Sequence, residues 1–183
     1  MIYKFRIISD EADDYLREIR IDADASFLDL HKALLKANNY KDDQLTSFFI
    51  CDEDWEKETE ITLEEMDSSS ERDTYVMEST PLSHFLEDEK QKLLYVFDPL
   101  ADRVFFMELS EIIPGKSLKA PVVSRSIGQP PVQTLDFDEV LRGTPIGTSL
   151  DLDETFYGDD DFDEEEFDPE GFDITDGTDN LPL

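Results

Sequence analysis

The sequence predicts an α+β domain: an α/β roll in which a mixed, β-grasp-like sheet packs on one main helix, followed by a disordered acidic C-terminal tail. Three observations predict it. Period-two alternation of apolar and polar residues opens the chain, and two long apolar runs lie close together around residue 100, both marks of strands. Residues 26–39 instead carry apolar residues at helical spacing. From Asp151 to Leu183 fifteen acids stand without a lysine or arginine, a composition too charged to bury a core of its own.

The opening IYKFRII alternates Tyr3, Phe5 and Ile7 with Lys4 and Arg6, and YLREIRI sets Ile19 and Ile21 against Glu18 and Arg20. The acidic stretch SDEADD between them is short enough for an antiparallel pair, which puts Lys4, Arg6 and Arg20 on a shared outer face. SFLDLHKALLKANNY reads as a helix. Ser26 caps its first free amides, Asp29 complements its positive end, and Phe27, Leu30, Leu34 and Ala37 form the apolar stripe, with His31 and Leu35 on the flank. The pair Asn38 and Asn39 stops it.

LTSFFICD supplies a third strand through Phe48 and Ile50, and Asp52–Thr80 reads as a polar excursion holding Trp55 and the short apolar element ITLEEM. Within it EMDSSSERD is expected to be mobile. PLSHFL is a single helical turn opening on Pro81, and KLLYVFD with RVFFMELSEII forms a hairpin around Pro99 to Asp102. From Pro114 to about Thr134 the composition turns to Pro, Gly and Ser, mildly basic through Lys116, Lys119 and Arg125, and reads as a connector or covering loop. LDFDEVLRG adds one or two helical turns ended by Gly143. The expected organisation is a domain over 1–113, a connector with a short helix over 114–150, and a tail over 151–183.

Charge narrows the function. The 183 residues carry a formal net charge of -31, and residues 1–150 hold 32 acids against all 16 lysines and arginines. Phosphate backbones are bound by Lys and Arg that displace counterions, so direct nucleic-acid binding by a broad basic face is not expected. A basic protein is the electrostatic complement. The N-terminus lacks the apolar core of a signal peptide and no run nears the roughly 18 apolar residues of a membrane span, which points to a cytoplasmic protein without membrane association. The single cysteine, Cys51, cannot form an internal disulfide, and the acids after it would raise a thiol pKa, so it reads as buried and inert.

REIRIDADASFLDLHKALLKANNYKDDQLTSFFI, with KLLYVFDPLADRVFFMELSEI, resembles the plasmid pRi ORF-three-like family, some of whose members carry the label insertion-element passenger TnpR. Arg17, Ile19, Ala23, Asp24, Leu30, His31, Asp42, Leu45 and Phe48 keep that family's pattern, and Ile21 and Phe27 are apolar replacements within it. Tyr40, Gln44, Thr46, Leu100, Ala101, Arg103 and Phe105 depart from its aromatic, histidine and glycine-aspartate positions. The resemblance therefore implies a fold and no reaction.

Neither histidine, His31 nor His84, has a second ligand at metal spacing. An EF-hand loop started at Asp151 puts Phe156 and Phe162 where Gly and a bidentate Glu are needed, so neither metal nor cofactor is expected. In the tail Phe162, Phe167 and Phe172 recur every five residues, a spacing that gives no common face on a helix or strand. Burying three such rings yields at most about 9 kcal/mol. Ordering twelve residues costs about 12 to 24 kcal/mol, so docking onto the chain's own domain is disfavoured.

These readings predict a non-enzymatic interaction or adaptor module. Phe156, Phe162, Phe167 and Phe172 would be anchors for a basic protein partner, with carboxylates steering the encounter. A second expectation has the tail covering the Lys4, Arg6 and Arg20 face, or the basic loop at Lys116, Lys119 and Arg125. The alternative from another class is a metal-dependent hydrolase or nucleic-acid-processing enzyme linked to mobile elements, with Asp98 and Asp102 holding Mg2+.

Overall fold

The computed structural model describes residues 1–65 and 75–135, all within the unit Met1–Glu139. EMDSSSERD falls almost wholly outside the described residues, as do LDFDEVLRG from Asp136 onward and the tail 151–183. The described residues form an α+β architecture with one eight-stranded mixed sheet and one α-helix.

Strands β1 (Ile2–Ile8) and β2 (Leu16–Asp22) pair antiparallel, with Phe5 opposite Ile19 and Arg6 opposite Glu18. Alternation decides their faces. Tyr3, Phe5, Ile7, Ile19 and Ile21 are buried, while Arg6 and Arg20 are exposed and Lys4 half-buried on the other side. Helix α1 (Phe27–Asn38) follows. Its start is a capping box in which the Ser26 hydroxyl accepts from the Asp29 amide and the Asp29 carboxylate accepts from the Ser26 amide, satisfying two otherwise free donors. Its end is Asn39 in the left-handed region (φ 55°), whose amide donates to the Leu35 and Lys36 carbonyls.

From α1 the chain enters β3 (Ser47–Cys51), β4 (Lys57–Thr62) and the two-residue β5 (Tyr75–Val76), then a 3-10 turn at Leu82–His84, β6 (Lys92–Asp98), β7 (Arg103–Ile113) and β8 (Val122–Ile127). The spatial order is β5-β4-β3-β6-β7-β1-β2-β8, antiparallel throughout except for the parallel β4–β5 pair. Two stretches differ from the sequence expectation. The polar excursion yields β4 and β5, because Ile61 and Thr62 are buried beside β3 even though Lys57, Glu58 and Glu60 face water. The Pro/Gly/Ser-rich connector yields β8, which pairs with β2 from Leu16 to Arg20.

α1 lies on one side of the sheet, where Phe27 packs against Phe48 at 5.4 Å between ring centroids. Phe27, Leu30 and Leu34 join Phe5, Ile19, Phe48, Tyr95, Phe105 and Met107 in one core. No described helix is long and apolar enough to cross a membrane.

Candidate functional site

The inner face of the sheet carries two residues that periodicity alone would make apolar. Arg17 shares its side of β2 with Ile19 and Ile21, and Arg103 shares its side of β7 with Phe105, Met107 and Leu109; both guanidiniums are buried. A buried charge costs several kcal/mol unless it is paired and hydrogen-bonded, so its partners reveal what it does.

Arg17 donates to four carbonyls: Ala37 at the end of α1 (3.3 Å), Leu16 (3.0 Å), Ile127 (2.5 Å) and Gly128 (3.1 Å). Its guanidinium also lies 4.6 Å from the Tyr15 ring centroid. Arg103 forms a bidentate pair with Glu11 at 2.8 and 2.7 Å and reaches Asp98 at 3.4 Å. It further donates to the carbonyls of Val132 (2.8 Å) and Gln133 (3.4 Å) while standing 4.8 Å from the Phe97 ring centroid. The bond to Glu11, ahead of the counteracting burial, raises its pKa.

These acceptors converge on one segment. Residues 128–133, GQPPVQ, receive Arg17 at Gly128 and Arg103 at Val132 and Gln133, and the Tyr40 hydroxyl donates to the Pro131 carbonyl at 2.5 Å. The Gln133 amide then bonds the backbone of Lys41 in both directions, at 2.7 and 2.6 Å. The segment is thus a strap held by side chains from β2, β7 and the loop after α1. Its entry requires glycine: Gly128 has φ +66°, and a Cβ there would sit 2.4 Å from the Asp14 carbonyl oxygen. Next to the residues that hold it lies a layer of rings: Tyr15 stacks on Phe105 (5.0 Å), Phe97 on Phe105 (4.6 Å) and Tyr40 on Phe105 (6.1 Å), with Tyr40 tilted against Phe97 (5.7 Å). Burial pushes the Tyr15 phenol up to about 12 and raises Tyr40 as well.

Beside this layer the buried His31 ring bonds Tyr95 through Nδ1 (2.9 Å) and Asp42 through Nε2 (3.2 Å), with Thr46 at 3.3 Å. Burial lowers its pKa more than Asp42 raises it, so folding favours the neutral ring. The expected flank position of His31 becomes a core position, because the loop after α1 closes over it. The arrangement fastens three segments together and holds no activated nucleophile. Cys51 is buried and its thiol pushed up by burial, and in the open cleft beside His84 the Ser79 and Thr80 hydroxyls are spent on the Val76 carbonyl.

The sequence candidates fall elsewhere. Phe156, Phe162, Phe167 and Phe172 lie outside the described residues. Lys4, Arg6 and Arg20 share the outer face, where Lys4 pairs with Glu18 (3.9 Å) and Glu111 (3.6 Å). Lys116, Lys119 and Arg125 are spread over the β7–β8 loop and β8. Asp98 and Asp102 are not brought together: Asp98 is buried against Arg103, whereas Asp102 is 77% exposed and pairs with Lys57 at 3.2 Å. Among the described residues no group of three or more His, Cys, Asp or Glu is placed to hold a metal. Glu11 and Gln133 were not marked by the sequence, and Arg17, Tyr40 and Arg103 were marked only as positions that keep or depart from the family pattern, with no role in holding a strap. A signal for the two arginines was present, since each is a cation at a core-facing position of an alternating strand.

No curated protein matches the chain. Among solved structures it is similar to a protein of unknown function, MM3350, from Methanosarcina mazei Go1, with a TM-score of 0.53 and 20% identity over 68% of each chain. That likeness concerns the fold. The family model described as plasmid pRiA4b ORF-3-like protein matches residues 1–176, nearly the whole sequence, and the chain belongs to that family.

Proposed function

We propose that this chain is a cytoplasmic, non-enzymatic interaction module whose acidic segment 151–183 engages a basic protein. The observation that carries the reading is charge segregation: fifteen acids, no lysine or arginine, and four phenylalanines in the last 33 residues. The strap supports it. Arg17, Tyr40 and Arg103 fasten the backbone as far as Gln133, so the chain leading into the acidic segment is rooted in the domain by buried charge-assisted bonds. Carboxylates would raise the rate of encounter, and Phe156, Phe162, Phe167 and Phe172 would lengthen residence by desolvated contact.

Titration of the full chain with a lysine- and arginine-rich peptide tests this. Changing the four phenylalanines to serine leaves the charge intact and is expected to weaken binding about tenfold or more, since each buried ring is worth about 1.5 to 3 kcal/mol. Equal affinity for both forms would remove the anchors and leave bulk charge alone.

A further inference from the structure

The sheet face opposite α1 has a pattern of its own. Across β6, β7, β1, β2 and β8 the register aligns Lys92, Glu108, Arg6, Glu18 and Arg125 in one row of alternating sign. The next row is apolar: Leu94, Phe106, Ile8, Leu16 and Ile127. Its two halves differ. On the β6–β7 side Trp55 stands edge-on over Phe106 at 5.1 Å, with Lys92 4.9 Å from the Trp55 ring centroid. On the β1–β8 side Ile8 is 42% and Ile127 40% exposed.

Both rows are complementary to their own reversal. Rotation by half a turn about a line between β7 and β1, parallel to the strands, exchanges β7 with β1 and β6 with β2. Glu108 then meets Arg6, Lys92 meets Glu18, and Trp55 on Phe106 meets the exposed Ile8 and the half-buried Leu16. We propose that this face is a homodimer interface, two copies stacked sheet on sheet about that two-fold axis. Stacked sheets sit about 10 Å apart and cross at about 30°, which keeps the rows matched near the axis. With β3, which the same rotation exchanges with β8, six strands at about 4.8 Å each and about 20 Å long present on the order of 600 Å2 of flat area before side-chain relief. Two such faces bury about 1,200 Å2 in total, the lower end of the range for specific interfaces. A two-fold interface is also the commonest way for one chain to use a single patch twice.

Sedimentation of the full chain at about 100 μM, in enough salt to shrink the Debye length below about 10 Å and screen the net charge, tests the proposal. The expected species has twice the 21.1 kDa monomer mass. Arg6→Glu sets like charges against Glu108 of the second copy, and Glu108→Arg does the same against Arg6, so each variant alone is expected to sediment as a monomer. Mixed in equal amounts they restore both contacts and recover the dimer, while their separate circular dichroism spectra match the wild type. A monomeric wild type, variants that remain dimeric, or a mixture that stays monomeric would each overturn the two-fold arrangement. Ile8→Asp provides a second probe of the same face, and persistence of its dimer would count equally against it.

Discussion

Arg17 and Arg20 stand three residues apart on β2 and face opposite sides of one sheet. Arg17 points into the core, where four carbonyls and the Tyr15 ring surround it. Arg20 points outward and is exposed. The same contrast runs through the whole sheet: the inner face is a closed layer of rings with its few charges individually paired, and the outer face is a ladder of solvated charges beside an apolar row. A charge on the inner face must therefore carry structure, because water is not there to replace a lost partner. On the outer face of a single copy, water and neighbouring charges substitute freely.

Substitutions in the inner layer should have the largest effects. Phe105 is fully buried and touches Tyr15, Tyr40, Tyr95 and Phe97, so Phe105→Ala is expected to cost about 3 to 5 kcal/mol in urea unfolding. A loss under about 1 kcal/mol would show that the ring layer is not the centre of the core. Arg103→Ala leaves Asp98 buried and unpaired and releases Val132 and Gln133 from the sheet. About 3 kcal/mol is expected, at the lower end for a broken buried pair because Glu11 is partly exposed, and proteolytic cleavage near Val132 should accelerate. Arg17→Ala strands four carbonyls, of which the strap loses Gly128, and should cost about 2 kcal/mol.

A titration sharpens the contrast without touching the sheet. His31 has its pKa lowered by burial, so its neutral form is favoured by folding. Its contribution is complete above the unfolded value of about 6.5 and is lost as pH falls below that through the lower folded value. The urea midpoint should therefore drop on acidification from pH 7 to pH 5, and His31→Gln should flatten that drop. The smallest effect belongs to the outer face, where Arg20→Ala is expected to stay within about 0.5 kcal/mol of wild type. A loss comparable to that of Arg17→Ala would erase the distinction between the two faces.

Much of this is written locally. Alternation of Tyr3, Phe5 and Ile7 with Lys4 and Arg6 specifies both a strand and which side of it is buried, and Ser26 with Asp29 specifies where α1 begins. β6 and β7 are long apolar runs joined by a short turn, and they pair as a hairpin. β4 was hidden because its first residues, Lys57 to Glu60, are mostly exposed and only Ile61 and Thr62 are buried. β8 was hidden more completely: Val122–Ile127 is exposed at every position, so no face of it needed an apolar pattern, and its surroundings of Pro, Gly and Ser carry a loop composition.

The candidate site was less legible than the fold. Arg17 and Arg103 were visible as cations out of place in an apolar phase, but what they bind was not. Arg17 reaches Ile127 across 110 residues of sequence and Arg103 reaches Glu11 across 92.

By itself the sequence determined five of the strands, the helix with its caps, the side that β1, β2, β3 and α1 bury, and the absence of any lysine or arginine among the fifteen acids of the last 33 residues. These follow from spacing within a few residues, where backbone geometry ties side-chain direction to position. The tertiary structure alone decided the strand order, the addition of β8 at the edge, and the use of two buried arginines to hold a strap. The partners there are backbone carbonyls, and every residue type carries one, so nothing in the identity of Gly128, Val132 or Gln133 marks it as the acceptor until the chain has folded.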